Sequence, residues 1–379
     1  SPLVDNPLPP AILTQPTPLF TTVGQNVFLA VVVTGSVPIT VQWYHNGAAI
    51  GGASNDTLFI PSIAESDSGK YFATATNKAG ADTSDTVTIT LKPVVSPTAW
   101  RQNGGAAISL ERRYASAVQD ESAIHVSGAG LLTANIPVIT KSVGSSDLAA
   151  SRAVGVNAAV RSDGGSRIYL TGGSIHSDSA GATGLFATGT GTRLTLTNGS
   201  VTTTDATSPA IGASNGGSVE ITGGSLAASA SAAIWIAAQS GSDAAATVSI
   251  TGGTTVTTGT GVLMSVTSGA KATLTLGGVS LTGNVSADAT STAAISLTNT
   301  TSWTGTMNTG AVTLDAGSTW TVSGASLVTV LSGAVISGTA ITNIIGNGNT
   351  VSYDSALAGN AVLAGKTFTL VSGGTLVPR

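Results

Sequence analysis

Pairs of aliphatic residues two positions apart, each followed by a glycine turn, recur through the middle of this chain. From Gly165 to Gly278 the phrase reads Arg167-Ile-Tyr-Leu-Thr-Gly-Gly-Ser-Ile, Arg193-Leu-Thr-Leu-Thr-Asn-Gly-Ser-Val, Ser218-Val-Glu-Ile-Thr-Gly-Gly-Ser-Leu, Thr247-Val-Ser-Ile-Thr-Gly-Gly-Thr-Thr-Val and Thr273-Leu-Thr-Leu-Gly-Gly-Val-Ser-Leu. The apolar starts Ile168, Leu194, Val219, Val248 and Leu274 lie 26, 25, 29 and 26 residues apart, a period that suits a solenoid.

The inner spacing says what kind of solenoid. Ile168/Leu170, Leu194/Leu196, Val219/Ile221, Val248/Ile250 and Leu274/Leu276 share one face of a strand, and the Tyr, Thr, Glu or Ser between them faces out. Gly-Gly or Asn-Gly then turns the chain. Another inward aliphatic follows (Ile175, Val201, Leu226, Val256, Leu281), and a third apolar cluster closes most copies, at Leu185-Phe186, Ile211, Ile234-Trp235-Ile236 and Val262-Leu263-Met264. Three strands and three turns make one rung. A rung buries its apolar face only against other rungs, so the pattern predicts a parallel β-helix of roughly ten rungs, about 50 Å long at about 4.8 Å per rung.

Before the repeats the pattern changes. After a Pro-rich lead, strands alternate with turn signals from Pro10 to Leu91. Gly24 to Gly35 reads as one strand, Thr40-Val-Gln-Trp-Tyr-His as the next, and Asn46-Gly47 as a hairpin turn. Thr57-Leu-Phe-Ile, Gly69 to Asn77 and Thr86 to Leu91 follow, about seven short strands in all, the count of a β-sandwich. Trp43, Asn46-Gly47, Leu58-x-Ile60 and Asp67-Ser-Gly-Lys-Tyr71-Phe-Ala-Thr-Ala-Thr-Asn77-x-x-Gly80 together resemble an immunoglobulin domain of the I-set kind. The resemblance implies that Trp43 is the buried core indole and Tyr71 the tyrosine-corner residue. The family's two bridging cysteines fall on Val31 and Ala73, so packing alone holds this sandwich, at a cost of roughly 2–5 kcal/mol relative to a bridged relative.

Pro93 and Pro97 mark a boundary, and Ser109-Leu-Glu-Arg-Arg-Tyr carries the densest charge, as a connector or polar end cap would. Ala123-Ile-His-Val-Ser-Gly-Ala-Gly reads as the start of the first rung. After Leu274 the phrase continues at Ile295 and Val312 with shorter steps, which predicts a slimmer cross-section. The phrases ending in Trp303 and Trp320, with the Thr-Gly-Gly rungs before them, resemble passenger regions of bacterial autotransporters of the pertactin and AIDA-like kind. That resemblance implies a right-handed helix, export across the outer membrane, and a translocator barrel beyond the present sequence. Leu376-Val-Pro-Arg379 resembles a thrombin-cleavable tag remnant. The expected fold is therefore all-β: an N-terminal immunoglobulin-like sandwich over 1–92, a linker and solenoid cap over 93–129, a parallel β-helix over 130–374, and a tag remnant over 375–379.

Composition narrows the function. Charged residues are 8% of 379, the formal net charge is −4, and there is no cysteine. That leaves no basic field for nucleic acid and no disulfide or thiolate metal site. No apolar run is long enough for a membrane-spanning helix. The first residues, Ser1 to Asp5, lack the features of a signal peptide. His45, His125 and His176 are too scattered in sequence to suggest a metal cluster, and no cofactor loop is present in convincing context. Asp178 and Asp205 follow equivalent inward residues, so they are the candidate catalytic pair, stacked about 5 Å apart as in a retaining glycosidase. The simpler reading makes them turn carboxylates. Exposed threonine runs raise an ice-binding face, which Ala227-Ala228 interrupts. Trp235, Trp303 and Trp320 offer rings for stacking on sugars, but the phase of Trp303 and Trp320 points inward.

The reading that follows is a non-catalytic, cofactor-free adhesin at the bacterial cell surface or secreted. A long, weakly charged rod would present Tyr44, His45, Asn46, Gly47 and the solenoid's outward Ser/Thr/Asn ladders to a host protein, a glycan or a sister cell. The alternatives are a polysaccharide hydrolase or lyase using Asp178 and Asp205, and a passive spacer.

Overall fold

Alternation of buried and solvent-facing residues runs through most strands of both parts of the chain, although Leu185–Thr188 and Ile211–Ser214 are buried throughout. The structure, a computed structural model, describes residues 6–21, 25–91, 98–110, 113–238 and 244–379. Residues 1–5 of the Pro-rich lead, Gly24, Pro93, Pro97 and Glu111-Arg112 of the charged stretch lie outside the described residues. The chain divides into two units, Ser1–Ser96 and Pro97–Arg379.

In the first unit, Thr40–His45 and Gly69–Asn77 pair antiparallel at the centre of one sheet, flanked by Val87–Leu91, Leu19–Thr21, Ala48–Ala49 and Gly80–Thr83. Opposite them, Val27–Ala30 pairs with Thr57–Ile60, and Val32–Thr34 with Ala11–Thr14. The single strand read from Gly24 to Gly35 is thus interrupted at Val31, where it exchanges one neighbour for the other. Trp43, Ala73, Ile63 and Ile89 are fully buried, and Val31 and Tyr71 nearly so. Trp43 Nε1 donates to the Asn55 carbonyl at 2.9 Å, and Tyr71 Oη donates to the Asp67 carbonyl at 2.7 Å. Valine and alanine fill the core where the bridging cysteines of related sandwiches would stand.

The second unit is a parallel β-solenoid of about eleven turns with very little helix. Its first sheet runs from Trp100–Asn103 to Asn284–Ala287, its second from Ala106–Leu110 to Leu331–Ser332, and its third from Arg113–Ser116 to Thr255–Thr258. Ile168, Leu194, Val219, Val248 and Leu274 stack in one register column, each at most 2% exposed. The repeat read from the sequence is therefore the register of the sheet. At the turn after each pair, Gly172, Asn198, Gly223 and Gly252 have φ of 64°, 54°, 68° and 67°. Glycine and asparagine tolerate that geometry, and one turn earlier Ile136 holds the same place at φ 47°. At Gly224, whose φ is 76°, closeness adds to this: a Cβ there would lie 2.0 Å from the Gly199 carbonyl oxygen.

Two boundaries and one element differ from the sequence reading. Trp100–Asn103, Ala106–Leu110 and Arg113–Ser116 already form a complete turn in register with the next, so the solenoid begins well before 123 or 130. Its apolar signal is diluted because Gln102 and Ser109 take the places that Val126 and then Ala134 and Leu170 hold on the following turns, and Ile108 faces solvent. At the other end Thr375–Pro378 is a strand paired with Thr350–Tyr353 and Phe368–Val371, and Leu376 is fully buried. These residues belong to the fold and not to a detached tag. Leu148–Val154 is an α-helix that the repeat pattern did not announce, capped by the Asp147 carboxylate on Ala150 N–H at 3.0 Å and by Gly155 at φ 66°.

Candidate functional site

The hairpin carrying Tyr44, His45, Asn46 and Gly47 is built by a two-residue turn with φ of 49° at Asn46 and 86° at Gly47. Tyr44 stacks on Phe72 with ring centroids 4.7 Å apart, and His45 stacks on Tyr71 at 4.4 Å. Asn46 Oδ1 accepts from Lys70 N–H at 2.9 Å, and its backbone N–H donates to the Lys70 carbonyl at 2.8 Å. A Cβ on Gly69 would lie 2.4 Å from Asn46 Oδ1. The four residues come together as a pinned loop with half-buried rings at its base and the tip exposed. Burial, and the Asp67 charge beside it, push the Tyr71 phenol up to about 12. On the opposite sheet Phe28 stacks on Phe59 at 4.7 Å, and both stay open to solvent at 62% and 49% exposure. Sequence reasoning missed this second aromatic pair. The one signal for it was outward phase on two strands whose pairing was not yet known.

Asp178 and Asp205 sit at successive turns of the solenoid but not directly above one another. Thr204 N–H bonds the Ser177 carbonyl, and Gly181 N–H and Ala182 N–H bond the Thr207 and Ser208 hydroxyls, an offset that places Asp205 over Ser179. Each carboxylate serves its own turn. Asp178 Oδ1 accepts from Ser179 Oγ at 2.9 Å, and Asp205 Oδ1 accepts from Thr207 N–H at 2.8 Å and Thr207 Oγ1 at 2.6 Å. On the third sheet the outward column reads His176, Thr202, Ala227, Thr257, so alanine interrupts the threonine array.

Trp303 and Trp320 point inward and are fully buried, whereas Trp235 faces out from the first sheet. Arg152 of the short helix lies over the Trp235 ring, 4.1 Å from its centroid, and Trp235 Nε1 donates to Thr267 Oγ1 at 3.1 Å. The same helix packs over Phe186 and Gly212, where a Cβ on Gly212 would stand 2.4 Å from the Phe186 ring. Trp235 is thus committed to protein contacts on one face.

His125 belongs to a charged network. Arg101, His125 and Arg161 occupy one outward column of the first sheet. Arg101 Nη2 pairs with Glu121 at 2.9 Å, Arg101 Nη1 meets His125 Nδ1 at 3.3 Å, and His125 Nε2 and Arg161 Nη2 converge on Asp163 Oδ2 at 2.8 and 2.9 Å. Burial works to raise the Asp163 carboxyl, but the His125 hydrogen bond and the Arg161 charge hold it below its usual range. Lys141 is almost wholly buried; desolvation pulls its ammonium down, and Nζ donates to the Val118 carbonyl at 2.8 Å. The charges compensate one another and tie the first three turns together. Sequence reasoning missed the network because the first turn had not been recognised. Among the described residues no group of three or more His, Asp or Glu side chains is gathered for a metal ion.

Residues 10–91 match the family model of the immunoglobulin I-set domain, so the N-terminal unit is an I-set domain followed by a β-solenoid. Over 72 residues, 17% of this chain, the sequence is 43% identical to the cell adhesion molecule DSCAML1 of Mus musculus and 40% identical to that of Homo sapiens. The chain spans about 4% of the length of these curated relatives. Among solved structures, titin M4 is similar at 29% identity over 23% of this chain and 98% of its own, with a TM-score of 0.21. A chimeric titin Z1Z2 is similar at 30% identity over 23% of this chain and 97% of its own, also with a TM-score of 0.21.

Proposed function

We propose that this chain is an adhesion protein of the autotransporter passenger kind, exported to the bacterial surface or secreted, that binds a host protein, a glycan or a sister cell without catalysis. One observation carries the reading. The I-set sandwich keeps the core indole and tyrosine corner of its family, yet displays the Phe28–Phe59 and Tyr44–Phe72 pairs on its two outer faces. Rings left open to water, as Phe28 and Phe59 are, are costly unless a partner covers them, and such rings dominate binding surfaces. The likeness to adhesion molecules over the same stretch supports the same role. The solenoid adds a surface of stacked Ser, Thr and Asn whose Thr-Gly-Gly rungs and paired Trp phrases favour the passenger identity. Under this reading the translocator barrel is a separate segment, and no cofactor or nucleic acid takes part.

The test is direct binding of the fluorescently labelled full chain to mammalian epithelial cells and to bacterial cells, followed by flow cytometry. Saturable binding that falls about tenfold or more in a Phe28→Ala/Phe59→Ala or Tyr44→Ala variant supports adhesion through the sandwich. Saturable binding that survives both variants moves the contact to the solenoid. Absence of saturable binding to either cell type contradicts the proposal and leaves a spacer.

A further inference from the structure

We propose that the outer face of the second sheet, between Arg167 and Glu220, is a binding site for a carboxylate-bearing sugar. The first position of the repeated phrase faces out, and on successive turns it is occupied by Arg167 and then Arg193, in direct register. Neighbouring turns lie about 4.8 Å apart, so the two arginines leave the sheet from adjacent positions and can reach one anion together. This happens in a chain with only 14 Lys and Arg among 379 residues. Arg193 pairs with the Glu220 carboxylate. Arg167 is exposed and has no ion-pair partner among the described residues.

The two arginines border a concavity of about 340 Å³ that Tyr169, Ser218 and Glu220 also line. That volume lies at the small end of ligand sites, roughly 300–1,000 Å³. Gly191 and Gly216 form its lip at the turns and contribute no side chain. Tyr169 lies two residues beyond Arg167 on the same strand face, and Glu220 lies two beyond Ser218. The chemistry is specific. A planar carboxylate takes the paired donors of Arg167 and Arg193. A sugar ring lies along the Tyr169 face, and its hydroxyls donate to Glu220 and exchange hydrogen bonds with Ser218. A bare phosphate would use the arginines alone and leave Tyr169 and the Glu220 acceptor without a role. An apolar peptide finds no greasy surface here.

The proposal deepens the adhesion reading by naming a ligand class, and it rests on that reading only for the expectation that the ligand is a glycan. The test is isothermal titration calorimetry of the full chain at low ionic strength with 3′-sialyllactose, digalacturonate, neutral lactose and inorganic phosphate. Binding of either acid, with lactose at least about tenfold weaker, is expected. Which acid binds separates a host-type sialylated glycan from a uronate polysaccharide. Arg167→Ala should weaken the acid about tenfold or more, Arg167→Lys should fall between because it keeps charge without the fork, and Tyr169→Ala should weaken it several-fold. Arg167 is exposed, so an unchanged thermal melt shows that the variant still folds. Equal binding of lactose, equal binding of phosphate with indifference to Tyr169→Ala, failure of both acids, or an Arg167→Ala variant that binds as well as the parent each overturns the site. If cell binding persists while both acids fail, the adhesion reading stands and this site alone falls.

Discussion

Trp303 lies against Trp320 with ring centroids 5.2 Å apart and planes 11° from parallel, and neither has any exposed surface. Each indole N–H reaches the backbone of the preceding turn, Trp303 donating to Gly283 O at 2.8 Å and Trp320 to Gly305 O at 3.0 Å. The pair fills the slimmer part of the solenoid and satisfies two buried carbonyls. Trp320→Ala should cost about 3–5 kcal/mol through the cavity it leaves and the lost stacking. Chemical denaturation followed by circular dichroism checks this, and a cost below about 1 kcal/mol would show that the core rearranges around the gap.

The short helix Leu148–Val154 is clamped to the first sheet through Phe186, which leaves no room beside Gly212. Gly212→Ala places a methyl against that ring and should destabilise the solenoid by about 1–3 kcal/mol. Because the helix also covers Trp235 through Arg152, its displacement should shift tryptophan emission to the red. Phe186→Leu in the Gly212→Ala background should recover part of the loss, so the two substitutions should be non-additive. Additive losses would place the strain elsewhere.

Acid should weaken the solenoid between about pH 4 and pH 2. The Ser291 and Thr290 hydroxyls and the Ser268 N–H hold the Asp288 carboxylate, lowering it from 3.8 to about 2. Between those values the unfolded chain binds more protons than the folded one, so the contribution is present above the upper value and is lost as pH falls through the lower. Asp120, held by Ser145 and Ser146, and Asp315, held by Ser318, shift in the same direction. Asp288→Asn should therefore flatten, without abolishing, the fall of the thermal midpoint across this window. An unchanged pH profile would contradict the assignment.

Register is open to a covalent test because the chain has no cysteine of its own. Ser249 and Thr275 are neighbours across the second sheet, and Ser296 lies one turn further. Adjacent turns about 4.8 Å apart fall within the Cα separation that disulfides accept, roughly 4.4–6.8 Å, and positions two turns apart fall outside it. Ser249→Cys/Thr275→Cys should cross-link on mild oxidation, whereas Ser249→Cys/Ser296→Cys should stay reduced, as mass spectrometry of the intact chain would show.

The solenoid's middle was legible because its aliphatic pairs repeat with the period of one turn, and each pair is buried where the pattern puts it, as at Val219 and Ile221. The sandwich was legible through Trp43 and Tyr71, whose partners Asn55 and Asp67 complete the expected contacts. What stayed hidden depends on partners far apart in sequence. The first turn replaces aliphatics with Gln102 and Ser109, the final strand hides in Leu376, and the capped helix at Asp147 to Gly155 sits inside a corner. The candidate surfaces follow the same rule. The Asn46-Gly47 tip was readable as a turn, but the stacking of Phe28 on Phe59 and the register of Arg167 with Arg193 appear only once strand pairing is fixed.

The central claim, recognition without turnover, is tested most directly by incubating the full chain with immobilised glycans and polysaccharides, measuring in one experiment the protein retained and the reducing ends released. Retention with no release above a protein-free control, unaffected by Asp178→Asn, is the predicted result. Reducing ends that accumulate with time and vanish in Asp178→Asn or Asp205→Asn would contradict it and make the chain an enzyme.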